Sequence, residues 1–129
     1  MDKTFYITTP IYYPSAKPHM GHAYSSIIAD FFARLKRIQG FNVYFLTGTD
    51  EHGQKIQRAA EEKKMDPLLF CDEISKTFRD LSDTLNLSNN DFIRTTESRH
   101  AKSVENLWNI LEKKGEIYIV KNNDAVKVE

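Results

Sequence analysis

The chain has 129 residues, enough for one domain and too few for most multidomain enzymes, and its 40% hydrophobic and 28% charged content argues against a disordered chain. Eighteen basic residues balance eighteen acidic ones, which excludes a broad basic nucleic-acid surface, so a bound RNA would need a local patch or parts outside this sequence. The single Cys71 excludes an internal disulfide and a C-x-x-C metal site, and no apolar run reaches transmembrane length.

The N-terminus lacks the basic segment, apolar run and small-residue cleavage pattern of a signal peptide, so a soluble cytoplasmic protein is expected. Phe5 to Thr9 reads as a short buried strand ended by Pro10, with Pro14 and Pro18 stiffening the loop that follows. From Met20 the apolar residues Tyr24, Ile27, Ile28, Phe31, Phe32, Leu35 and Ile38 recur at helical spacing and predict one broad core-facing stripe, terminated by Gly40. Phe41 to Leu46 is the next strand, its dense apolar character fitting a sheet covered by helices. A polar helix is predicted from after Gly53 to about Lys64, with Ile56, Ala59 and Ala60 on its apolar side.

Asp66-Pro67 is a helix start, an N-cap followed by proline at the first helical position. Cys71, Ile74, Phe78, Leu81 and Leu85 form the predicted buried seam of that helix. Ser88 to Asp91 breaks the pattern and Phe92-Ile93-Arg94 is a short extended piece. Thr95 or Thr96 is then expected to cap a last helix carrying Val104, Leu107, Trp108 and Leu111 on one side, with Gly115 past its end. Glu116 to Val120 is strand-like. The order of strand, long helix, strand and helix predicts an α/β fold with a parallel sheet and helical crossovers.

Two loops concentrate the chemistry. In His19-Met20-Gly21-His22, two imidazoles flank a glycine at a strand-to-helix turn, where unpaired N–H groups favour a phosphate and Gly21 allows close approach. The competing reading makes both histidines polar caps of a turn; a two-histidine zinc site would need Asp50, His52 or other ligands to complete a tetrahedron. In Thr47-Gly48-Thr49-Asp50-Glu51-His52-Gly53, a carboxylate at a strand end can hold a substrate ammonium or hydroxyl, or Asp50 is the N-cap of the helix that follows. Pro10-Ile11-Tyr12-Tyr13-Pro14 either lines an apolar pocket or belongs to the core, and Trp108 and Cys71 read as core. The lysine pairs 63–64 and 113–114 read as solvated helix ends. There is no G-x-G-x-x-G fingerprint, no Walker A lysine and no triad-type nucleophile with its base.

Taken together, Thr8 to Pro14 leading into Pro18 to His22, then Thr47 to Gly53 and Phe92 to Thr96, resemble the class I aminoacyl-tRNA synthetases of the methionyl-tRNA synthetase family over roughly residues 3–120. The resemblance implies a partial Rossmann-like parallel sheet, the N-terminal half of a class I catalytic domain over residues 1–115, with 116–129 starting an inserted connective region. It implies that His19 and His22 lie around the ATP phosphates, that Gly21 lies beneath the adenosine portion, that Asp50 takes the methionine amino group and that Ile11 and Tyr13 line the methionine pocket. The implied enzyme is a methionine–tRNA ligase using ATP with Mg²⁺ as its substrate complex, and methionine tRNA as acceptor. The family's lysine-rich K-M-S-K-S-type loop, later pocket wall, anticodon-reading domain and cysteine-rich zinc knuckles have no counterpart here. The chain is therefore expected to be a fragment that needs a complementary C-terminal portion, with a non-catalytic methionine- or nucleotide-binding or protein-binding remnant as the alternative.

Overall fold

A computed structural model describes residues 3–117. Its elements are β1 (Thr4–Thr8), α1 (Met20–Ile38), β2 (Asn42–Thr49), α2 (Gln54–Glu62), α3 (Pro67–Thr84), β3 (Asp91–Arg94) and α4 (Ser98–Lys113). The chain divides into two compact units, Met1–Glu97 and Ser98–Glu129.

In the first unit the three strands form one sheet in the order β1-β2-β3, and both pairings are parallel. The predicted α/β architecture with helical crossovers is therefore present. Strand alternation places Phe5 and Ile7 of β1 beside Val43 and Phe45 of β2 on one face, where Ala29 and Ala33 of α1 pack on them. A second cluster joins Tyr12, Ile56 and Ala60 to Phe70, Cys71, Ile74 and Phe78 of α3, with Phe92 of β3 packed against it. Burying each of Phe45, Phe70 and Phe78 contributes roughly 1.5–3 kcal/mol. The opposite face of the sheet carries Tyr6 stacked on Tyr44, both largely exposed.

The stripe on α1 is a correction. Tyr24, Ile27, Phe31 and Ile38 point outward, Phe31 being 60% exposed, whereas Ala23, Ser26, Ala29, Asp30 and Ala33 are buried. Both sets recur at helical spacing, but only the small set lets the helix backbone approach β2 closely. Asp30 can be buried because Ser88 donates to it from both its backbone N and its hydroxyl, and Arg34 from Nε. Burial works against its charge, yet those hydrogen bonds hold its carboxyl below the usual carboxylate range. Arg37 also bonds Ser88 and Asn90, and Asn90 Oδ1 accepts the Phe45 N–H, so this network fixes the entrance to β3.

Helix boundaries follow their local chemistry. Asp66 Oδ1 accepts the N–H groups of Leu68 and Leu69, with Pro67 at the first helical position, as predicted. Gly40, at φ +80°, ends α1 in a conformation that costs glycine little. In the seam of α3, Cys71, Ile74 and Phe78 are buried, Phe70 joins them, and Leu81 and Leu85 are half-buried. Burial pushes the Cys71 thiol up to about 11, which makes it an inert core group.

In the second unit α4 begins at Ser98. Glu97, not Thr95 or Thr96, immediately precedes it; the Thr95 hydroxyl accepts the Glu51 N–H and the Thr96 hydroxyl donates to the Glu51 carboxylate. Trp108, read as core from the sequence, is 55% exposed, and Val104 and Leu107 are exposed as well. The helix closes at Gly115, where the Gly115 and Glu116 N–H groups bond the carbonyls of Glu112 and Leu111. Glu116 and Ile117 are in no strand; the rest of the strand predicted to Val120 lies outside the described residues, as does the tail.

Candidate nucleotide and amino-acid site

The two loops leave neighbouring strands at the same end of the sheet, and a hydrogen-bonded ladder joins them beyond the strands. Thr9 N bonds Leu46 O at 3.2 Å, Tyr12 N bonds Gly48 O at 3.1 Å, and Asp50 N bonds Tyr12 O at 2.8 Å. Within β1 and β2, Thr8 is the partner of Leu46, whereas farther on Tyr12 is the partner of Thr49. One extra residue is thus accommodated on the first strand around Pro10, which has no N–H to offer the ladder. A one-residue slip exchanges the faces of everything after it. Tyr12 consequently turns into the core beside Thr49, and Ile11 and Tyr13, the latter 56% exposed, turn outward.

Tyr12 settles one choice left open by the sequence. Its ring stacks on Phe78 at 5.6 Å, and its hydroxyl lies 2.9 Å from the hydroxyls of both Ser25 and Ser26. It is a core residue bracing the start of α1, while its two neighbours are free to meet a ligand.

His19 is the N-cap of α1. Its Nδ1 accepts the Gly21 N–H at 3.0 Å, and His22 Nδ1 accepts the His19 N–H at 3.0 Å. The capping reading is therefore correct, and it leaves room for the phosphate reading. Each ring accepts through Nδ1, so each neutral imidazole carries its proton on Nε2. The rings lie 3.9 Å apart, and a Cβ on Gly21 would come within 2.9 Å of His19 Cε1, so only glycine lets the His19 ring fold back. Burial against Tyr12 and Phe78, then the neighbouring His19, hold His22 below its ordinary 6.5. At neutral pH the His22 imidazole keeps the uncharged form that its cap requires.

Asp50 caps no helix: the N-cap of α2 is Gly53, with no side-chain cap bond. Among the described residues the Asp50 carboxylate has no hydrogen-bond or ion-pair partner, while its neighbour Glu51 has many. Glu51 accepts Arg94 Nε at 2.7 Å and the hydroxyls of Thr49 and Thr96, and its side chain is 0% exposed. Asp72 lies 2.6 Å from the other arm of Arg94. The hydrogen bond to Glu51 raises the Arg94 proton affinity above its ordinary level, so the guanidinium stays charged.

His19, His22, Ile11 and Tyr13 line one open depression of ≈ 280 Å³ together with Lys17, a residue the sequence reading did not single out. Asp50 is outside that lining and is tied to it through the Tyr12 carbonyl. Gly21 is outside the lining as well, directly beneath the His19 ring that a Cβ there would meet. His52 is exposed, with Nε2 3.3 Å from Thr95 O. Glu51 and Arg94 were also missed as a pair; their only sequence signal is a charged residue at the end of each of two apolar strands. Among the described residues no three His, Cys, Asp or Glu side chains group as a metal site, and no helix is long and apolar enough to cross a membrane.

The family model described as tRNA synthetases class I (M) matches residues 5–128. The chain is 55% identical over 117 residues to the mitochondrial methionine–tRNA ligase of Takifugu rubripes, covering 91% of this chain and 20% of that protein. It is 54% identical over 118 residues to the methionine–tRNA ligase of Rickettsia conorii, covering 92% of this chain and 23% of that protein. The crystal structure of Mycobacterium tuberculosis methionyl-tRNA synthetase bound by methionyl-adenylate superposes with a TM-score of 0.85 at 42% identity, covering 88% of this chain and 22% of that one. The chain spans about a fifth of the length of the curated relatives it matches.

Proposed function

This chain belongs to the class I tRNA synthetases of the M type, and we propose that it forms the N-terminal catalytic portion of a methionine–tRNA ligase, holding ATP and methionine. One observation carries this reading. Two imidazoles whose Nδ1 atoms are engaged by backbone N–H groups keep their Nε2–H donors for the open depression at the start of α1. Donors fixed before the ligand arrives suit charge developing on a phosphate.

In the proposed reaction, a methionine carboxylate oxygen attacks the α-phosphorus of ATP, supplied as its Mg²⁺ complex. The bond to the bridging oxygen breaks, and pyrophosphate leaves with that electron pair. No protein nucleophile is needed, so the protein's task is alignment and charge stabilisation. His19 and His22 donate to phosphate oxygens, Gly21 keeps the backbone thin beneath the adenosine portion, Asp50 pairs with the methionine ammonium, and Ile11 and Tyr13 flank its side chain. A terminal ribose hydroxyl of methionine tRNA then takes the methionyl group and AMP leaves. Residues 1–115 belong to the catalytic domain and 116–129 open the connective region, with a complementary C-terminal portion supplying the remaining phosphate contacts and the tRNA surface.

The test is methionine-dependent pyrophosphate exchange in a complete synthetase with this chain as its N-terminal segment. Alanine at His19 or His22 is expected to lower exchange about 10²-fold while the fold persists. Undiminished exchange in both folded variants overturns the assignment. The 129-residue chain alone is expected not to charge tRNA, and addition of the C-terminal portion to restore charging. Robust charging by the isolated chain would contradict this division of labour.

A further inference from the structure

The Glu51 carboxylate is sealed from solvent, so it touches no ligand, yet every group it binds borders the Asp50 loop. Thr49 precedes Asp50 and donates to Glu51 through its side chain. The Glu51 N–H follows Asp50 and donates to the Thr95 hydroxyl at 2.8 Å, and the Thr95 N–H donates to the Thr49 carbonyl at 3.2 Å. Cys71 Sγ lies 3.9 Å from the Glu51 carbonyl. Asp50 is thereby held from both sides by the end of β3, and from a third by Tyr12. Its carboxylate alone is left without a partner among the described residues.

Stability is a weak reason for such an arrangement. A buried ion pair often gives no more stability than well-packed apolar residues of equal volume, because desolvation offsets the attraction. What a multiply bonded ion pair adds is a fixed geometry. From this geometry we propose that Glu51 and Arg94, with Thr96, form a positioning clasp that orients the Asp50 carboxylate for the substrate ammonium, so that Glu51 is a specificity-determining residue acting through Asp50. The inference rests on the assignment of Asp50 to the ammonium of methionine made above. Arg94 supplies the counter-charge to Glu51, and Asp72 holds the outer arm of its guanidinium. The clasp also links the amino-acid loop to residues 95 and 96, at the exit from β3.

The experiment measures KM for methionine and for ATP by pyrophosphate exchange in a complete synthetase carrying this chain. Glu51→Gln keeps the shape and removes the charge. It is expected to raise KM for methionine roughly ten- to a hundredfold, the scale of a displaced contact, and to leave KM for ATP within about twofold. Arg94→Lys, which retains a cation but not the fork, should move the same constant in the same direction by less. In an Asp50→Ala background Glu51→Gln is expected to add nothing, because its effect passes through Asp50. Should Glu51→Gln fail to fold, Thr96→Val removes a single bond to the clasp and is read in its place. Unchanged KM for methionine, equal rises in both constants, or a full additional effect on top of Asp50→Ala overturns the clasp. If Asp50→Ala itself leaves methionine use intact, the assignment of Asp50 falls, and the clasp falls with it; a normal Glu51→Gln enzyme beside a damaged Asp50→Ala enzyme removes the clasp alone.

Discussion

Replacing Phe78 by alanine should both weaken the fold and loosen the nucleotide loop. The ring is 2% exposed in α3, stacks on Tyr12 at 5.6 Å and meets the His22 ring edge-on at 5.1 Å. Truncation of a buried phenylalanine costs about 3–5 kcal/mol, and the stacking on Tyr12 is worth about 0.5–1.5 kcal/mol beyond its buried area. Against a typical total of about 5–15 kcal/mol this is a large fraction. With an m-value near 2 kcal/mol/M, a loss of about 4 kcal/mol lowers the urea midpoint by roughly 2 M. The same change strips an apolar wall from His22, so its pKa should climb back towards 6.5. Urea unfolding followed by far-UV dichroism gives the first quantity, and an NMR titration of the His22 ring protons gives the second. Phe78→Leu, which retains most of the volume, should show a smaller version of both. A loss under about 1 kcal/mol together with an unmoved His22 titration would refute the argument that this ring joins the core to the loop.

Acid should loosen the same loop. Because the folded state lowers the pKa of His22, the stability linked to its neutral form is complete above about pH 6.5 and is lost as the pH falls from there through the lower folded value; unfolding free energies between pH 5 and 8 should show this slope, and His22→Asn should flatten it. Gly48→Ala places a Cβ 2.0 Å from the Ile93 carbonyl oxygen, a backbone contact that cannot swing aside, and should cost about 3 kcal/mol in urea unfolding. Ala33→Leu should cost about 1–3 kcal/mol by forcing α1 off β2, whereas Phe31→Ser on the same helix should cost under about 1 kcal/mol in the same chain. Asp66→Ala removes the acceptor for two N–H groups and should lower stability by about 1 kcal/mol, recovered in large part by Asp66→Ser.

The element order was legible because local signals and packing agree. Gly40 and Asp66-Pro67 mark helix ends through their own backbone chemistry, and strand and helix periods separate β1, α1 and β2 cleanly. Periodicity could not say which of two stripes on α1 meets the sheet, since Ala29 and Ala33 repeat as faithfully as Phe31 and Ile38. The histidine pair was legible as a pair, and its dual use, Nδ1 for the helix start and Nε2 left over, depends on ring orientation alone. Thr95 and Thr96 have ideal capping side chains, but the helix starts past them at Ser98, and their hydroxyls bond Glu51, forty-four residues or more away in the chain. The Glu51–Arg94 pair joins residues that only the β2–β3 register brings together.

The slipped pairing around Pro10 makes segment length, and not just composition, a carrier of information. Deleting one residue between Thr9 and Tyr12 would let the ladder run on without interruption from β1. That shorter chain would keep Tyr12 opposite Thr49 but lose Pro10 or Ile11, and with it the extra residue that bends the strand ahead of the histidine turn. An insertion at the same place would push the histidine turn out of step with the Asp50 turn by the length of a residue. This stretch should therefore tolerate substitution at Ile11 or Tyr13 far better than any change in the count of residues. A deletion scan from Thr9 to Tyr13 should leave a gap in viable lengths where a scan along the Ser15-Ala16-Lys17 turn does not.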